Sequence, residues 1–125
     1  YGLDGALVLG LCLSGDQYRL ATPPIPADAT SLGCRYQPTS PASSMVELLV
    51  DSEVTARLEL DRTLPNSWQN GGTGLIIGHD TGFPVNDEYQ PSFPWTGTIA
   101  HIDVATPSAA PPDPAQVARE SLNAD

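Results

Sequence analysis

Val46-Glu-Leu-Leu-Val-Asp-Ser-Glu-Val-Thr-Ala-Arg-Leu-Glu-Leu60 is the stretch on which the fold class turns. Val46, Leu48 and Val50 alternate with Glu47 and Leu49, and Val54, Ala56, Leu58 and Leu60 alternate with Thr55, Arg57 and Glu59. A period of two gathers the apolar side chains on one face of each segment, which predicts two antiparallel strands with one side buried. Directly opposed residues share a face, so apolar must meet apolar: Val50 with Val54, Leu48 with Ala56, Val46 with Leu58. This register predicts a three-residue loop, Asp51-Ser52-Glu53, because a two-residue turn would set Val50 against Glu53 and bury the charge.

Upstream, Gly5-Ala-Leu-Val-Leu-Gly-Leu-Cys-Leu13 is apolar on both faces. Its interior glycines and the Ser14-Gly15-Asp16 turn favour a central strand over a helix, with Gln17-Tyr-Arg-Leu20 returning as a hairpin. Thr22-Pro-Pro-Ile-Pro26 cannot donate to a central ladder and reads as an edge or connection. Ser31-Leu-Gly-Cys-Arg-Tyr36 is a short strand, and Gln37-Pro-Thr-Ser-Pro-Ala-Ser-Ser44 a surface loop by composition.

Downstream, a turn-rich connection from Asp61 leads to a short strand, Leu75-Ile-Ile77. A long loop from Gly78 to about Thr96 holds Phe83, Tyr89, Phe93 and Trp95, and loops of that length are usually functional or packed over the sheet. Gly97-Thr-Ile-Ala-His-Ile-Asp-Val104 predicts a closing strand with Ala100, Ile102 and Val104 facing in. From Pro107 the composition shifts, and residues 113–123 read as a short helix with Asp113 as N-cap and Pro114 at its first position. The chain thus divides into an all-β domain over 1–105 and a Pro/Ala-rich tail with a short helix over 106–125.

At 125 residues there is room for one core, and 13 prolines with 11 glycines suit an all-β domain with many turns. Fifteen acidic residues face five basic ones, all arginine, for a net charge of −10 and a pI near 4.2. That balance excludes nucleic-acid or anionic-membrane binding through a basic patch and disfavours polyanionic ligands. No apolar run is long enough to span a membrane as a helix. Tyr1-Gly2 carries no initiator Met or cleavage signature, which predicts a fragment or processed product. Cys12 and Cys34 allow one disulfide or two free thiols, and both remain open, as does the redox compartment.

No nucleophile accompanies a base: there is no Gly-x-Ser-x-Gly elbow, and Gly71-Gly-Thr-Gly74 lacks the Lys-Ser/Thr end of a phosphate loop. His101 falls on the rim of a predicted strand. His79 and Asp80, in Gly78-His-Asp-Thr-Gly82, are either structural or an acid/base pair without a partner. Asp80, Asn86, Asp87 and Glu88 are oxygen donors of the type calcium needs, but their spacing matches no calcium loop. Trp68, Tyr89 and Trp95 either anchor loops or stack a sugar ring.

Gly74-Leu-Ile-Ile-Gly-His-Asp-Thr-Gly-Phe-Pro-Val-Asn-Asp-Glu-Tyr-Gln-Pro-Ser-Phe-Pro-Trp-Thr-Gly-Thr-Ile99 resembles the C-terminal β-sandwich of large bacterial arylsulfatases. Val46–Val54 and Arg62-Thr-Leu-Pro65 look like the segments that precede it there; the resemblance covers residues 45–104 and, weakly, 3–36. His79 stands where that family usually has arginine. The sulfatase nucleophile motif, a Cys or Ser followed at fixed spacing by Pro and Arg, is absent, as are the Asp-Asp-x-Gly metal region and the catalytic Lys and His positions. The resemblance implies an antiparallel β-sandwich, jelly-roll or concanavalin- or laminin-G-like, that is accessory and holds no cofactor. Its partner would be a sulfatase catalytic domain or further copies of itself. The alternative is a stand-alone lectin-like module, with Trp68, His79, Asp80, Tyr89 and Trp95 as candidate contacts for a neutral glycan.

Overall fold

The structure is a computed structural model that describes residues 1–13, 15–64, 76–80, 84–90 and 92–105. The chain is all-β: two antiparallel three-stranded sheets, with no helix among the described residues. The first sheet has the order β1–β2–β3, with β1 at Gly2–Leu3, β2 at Ala6–Leu13 and β3 at Asp16–Ala21. The second has the order β4–β5–β6, with β4 at Leu32–Ser40, β5 at Ser43–Val50 and β6 at Glu53–Leu60. The tail over 106–125, including the predicted helix at 113–123, lies outside the described residues.

β2 is the central strand of its sheet, as its two-sided apolar sequence requires. Its odd residues Leu9, Leu11 and Leu13 join Tyr18 and Leu20 of β3 against Val46, Leu58 and Leu60 of the second sheet, forming one apolar cluster with Tyr36 and Leu64. A polar seam runs beside it: Arg62 Nη2 lies 2.9 Å from Asp16 Oδ2, its guanidinium sits 5.7 Å from the Tyr18 ring centre, and the Tyr18 hydroxyl donates to Asp61 at 3.3 Å. The even face of β2 carries buried Val8, and Gly10 on that face lies against Val85, Asn86 and Tyr1.

The β5–β6 hairpin departs from the predicted register at its tip. Asp51 and Ser52 both take positive φ, 50° and 70°, which makes a two-residue type I′ turn and pairs Val50 with Glu53. The register then shifts between Leu48 and Leu49, so Leu48 faces Ala56 and Val46 faces Leu58 as the alternation demands. Thr55 is the additional residue, and its hydroxyl donates to the Leu48 carbonyl at 3.3 Å. A β-bulge, rather than a third loop residue, restores the parity. Asp51 also clamps the preceding connection, its Oδ1 accepting from Thr30 N at 2.8 Å and Ser31 N at 3.0 Å. On the outer face Glu47 lies between Arg35 at 3.2 Å and Arg57 at 2.8 Å, a three-strand ion ladder.

Three further expectations are corrected. Residues 37–44 are not a loop: β4 continues to Ser40 and β5 starts at Ser43, around a Pro41-Ala42 turn. β4 is an edge strand, where the missing N–H of Pro38 is tolerated, and a register shift between Pro38 and Ser40 absorbs it. Ile76 and Ile77 are not in a strand, and Leu75 lies outside the described residues. Residues 97–104 form no strand either; Ala100, Ile102 and Val104 are all exposed, the last two at 48% and 73%, rather than turned inward. Alternation alone does not make a strand without a sheet edge to pair with, and among the described residues none pairs with this segment. Finally, Asp4-Gly5, with φ of 50° and 79°, turns β1 back onto β2, a hairpin not anticipated from the sequence.

Candidate functional site

Val85 and Asn86 of the long loop lie on the even face of the first sheet, where a hydrogen-bonded network fastens the segment. The Tyr1 hydroxyl donates to Glu88 Oε2 at 2.5 Å and accepts from Asn86 Nδ2 at 2.8 Å. Arg19 of β3, the register partner of Gly10, donates from Nε to Glu88 Oε1 at 2.5 Å. The Tyr1 hydroxyl above all, with Arg19 adding to it, holds the Glu88 carboxyl below the ordinary carboxylate range against the opposing effect of desolvation. Burial raises the Tyr1 phenol, so it stays protonated and keeps donating.

Tyr89 is the loop's anchor, only 8% exposed. Its ring packs on Tyr1 at 4.9 Å and on Phe93 at 5.3 Å between centroids, and Tyr1 meets Phe93 edge-on at 6.3 Å. Its hydroxyl donates to Asp80 Oδ2 at 2.7 Å and accepts from Val85 N at 3.2 Å. Burial pushes the Tyr89 phenol up, which preserves the donor to Asp80.

Trp95 is placed by glycines. Its amide donates to the carbonyl of Gly78 at 2.7 Å, and Gly78 itself has φ of 81°. A Cβ at Gly97 would stand 2.7 Å from the indole Nε1, and one at Gly2 would stand 3.3 Å from Cζ3. Any side chain at 97 would therefore displace the ring. So held, Trp95 remains 41% exposed.

A cleft of about 730 Å³ opens between the β1–β2 hairpin and this loop. His79, Asp80, Tyr89 and Trp95 all line it, so the structure brings together four residues singled out from the sequence. The fifth, Trp68, lies outside the described residues. Tyr1, Phe93 and the Arg19–Glu88 pair were not among those candidates. Cys12 and Cys34 stand apart from the cleft, free and exposed, one on β2 and one on β4. His101 is exposed beside Asp103 at 3.2 Å.

Among the described residues no three His, Cys, Asp or Glu side chains gather as a metal site; Glu88 and Asn86 are engaged with Tyr1 instead. The cleft therefore offers aromatic surface and a few hydrogen-bonding groups: His79, Asp80 and, at its rim, Asp4 and Thr96. No protein-family model, curated protein or solved structure matches the chain.

Proposed function

We propose that the chain is a non-catalytic β-sandwich module, the accessory C-terminal domain of an arylsulfatase-type sulfuric ester hydrolase. Its role is to stabilise or assemble the enzyme, or to shape the entrance to its active site. The observation that carries this reading is what the reactive-looking loop side chains are engaged in. Glu88, Asn86, Tyr89 and Asp80 fasten the loop to the first sheet and to one another. A scaffold uses its carboxylates in that way.

The apolar cluster shared by the two sheets supports a sandwich, because two one-sided sheets bury their apolar faces most simply against each other. The class of the parent enzyme is supported by the resemblance over residues 74–99; on this reading the nucleophile and metal motifs, which this chain lacks, belong to a partner domain. The metal and the nucleophile would then be that domain's, and this chain would hold no cofactor. A sulfatase catalytic domain, or a further copy of the chain, is the partner this reading requires.

The reading frame upstream of the Tyr1 codon tests the proposal. It is expected to continue into a region with the Cys or Ser nucleophile motif and the Asp-Asp-x-Gly metal segment. A frame that encodes neither refutes the parent class, and hydrolysis of 4-nitrophenyl sulfate by the 125-residue chain alone refutes the non-catalytic role.

A further inference from the structure

We infer that the cleft under Trp95 is a carbohydrate site that takes a neutral sugar ring. This goes beyond the accessory role and does not depend on the parent enzyme. About 730 Å³ falls within the roughly 300–1,000 Å³ range of small-ligand clefts, enough for a short oligosaccharide end. Tyr1, Tyr89 and Phe93 are packed on one another at 4.9 to 6.3 Å, so they form a wall with no gap between them for a guest. Trp95 is different: it lines the same cleft, is held by Gly78, Gly2 and Gly97, and keeps 41% of its surface open. An open, rigidly held indole presents a negative π face to the weakly positive C–H bonds of a sugar ring.

The polar groups select the chemistry further. His79 and Thr96 can each donate and accept, which matches hydroxyl groups that do both. An ammonium is a donor only and would use neither His79 nor Thr96 as donors. A sulfated or carboxylated sugar would meet Asp4 and Asp80, with no arginine among the described residues that line the cleft, in a chain of net charge −10. An anionic ligand is therefore disfavoured, and a neutral polyol is what the donor–acceptor groups and the open indole together match.

The test is a glycan array carrying neutral oligosaccharides, their sulfated counterparts and, as a control, apolar peptides, probed with the full chain. Hits are followed by calorimetric titration and by the NMR shift of the Trp95 indole N–H. Binding of neutral glycans, with an indole shift and at least about a tenfold loss of affinity in Trp95→Ala, is the expected result. His79→Ala alters an exposed side chain and keeps the test open should Trp95→Ala not fold; it is expected to weaken binding severalfold. Silence toward neutral glycans, preference for the sulfated forms or for peptides, or unchanged affinity in the two variants overturns the site. None of these outcomes bears on the upstream reading frame, so this inference and the accessory role fail separately.

Discussion

Replacing Leu13 and Leu60 by alanine, singly and together, measures whether the two sheets form one core. Leu60 is 2% exposed and Leu13 8% exposed, one from each sheet, in the same apolar cluster with Val46. Each substitution is expected to cost about 2–5 kcal/mol from lost transfer energy and the cavity left behind, Leu13 toward the lower end because it is less buried. Since the two side chains share partners, the double variant should depart from additivity by about 0.5–3 kcal/mol. Val8, buried on the opposite face of β2, supplies the control: Val8→Ala should cost about 1.5–3 kcal/mol and add simply to Leu60→Ala. The assay is urea unfolding at fixed pH, followed by far-ultraviolet circular dichroism, with slopes compared across variants. A domain of this size has only about 5–15 kcal/mol in total. Leu→Val at both sites, about 1 kcal/mol each, therefore keeps the cycle measurable if the double alanine variant unfolds. Additivity of Leu13 and Leu60 within about 0.3 kcal/mol would mean that the sheets are stable independently, and the shared core would be refuted.

The Glu88 carboxyl is held low by Tyr1 and then Arg19, so its contribution is present above the ordinary carboxylate range and lost as pH falls through its lower folded value. Hydrogen exchange of the 84–90 amides should accelerate over that acid interval, and Glu88→Gln should accelerate it at neutral pH and flatten the pH dependence. Glu47→Gln leaves Arg35 and Arg57 facing each other without their shared carboxylate, an effect expected at about 0.5–1 kcal/mol in urea titrations and reduced in 0.5 M salt; equal destabilisation at both salt concentrations would count against the ion ladder. Cys12 and Cys34, both exposed, should react with a chromogenic disulfide reagent in the native chain without prior reduction, and silence at both would indicate a bridge. At Gly10, an alanine Cβ would come 3.2 Å from Asn86 Nδ2, so Gly10→Ala should speed exchange in the 84–90 loop while the β5–β6 amides keep their protection; uniform acceleration would show that the loop is not seated on that face.

The parts of the fold legible in the sequence were those set by local periodicity. Alternation over 46–60 located β5 and β6, and the two-sided leucine run located β2 at a sheet centre. Parity was correctly required at Leu48–Ala56 and Val46–Leu58, but it can be met by a loop residue or by a bulge, and the pattern does not distinguish them. Asp51-Ser52 did carry a signal, since Asp tolerates positive φ, and Asp4-Gly5 carried a stronger one that pointed to β1. The segment 97–104 misled because strand formation depends on a partner edge, which no local pattern encodes. Four cleft residues were visible as polar and aromatic groups crowded into one loop. Glu88 was visible only as an oxygen donor; its pairing with Arg19 was not, because the two are 69 positions apart and only the hairpin that sets Arg19 opposite Gly10 makes them neighbours.

β2 links these observations, because its two faces serve different structures. Its odd side chains hold the second sheet, and its even face, with Gly10 for clearance, seats the loop that carries Asp80, Tyr89 and Trp95. A period of two couples the faces strictly: a one-residue slip against β3 would exchange them at every position. Leucines would then lie beneath Tyr1 and Asn86, and Gly10 would leave a gap in the shared cluster. The turn at Gly15, with φ of 90°, therefore does more than reverse the chain. By pinning Leu13 opposite Asp16 it aligns Gly10 with Arg19, and that pairing brings the guanidinium to Glu88. The apolar core and the cleft are thus consequences of one register, and a change that moves the register must disturb both.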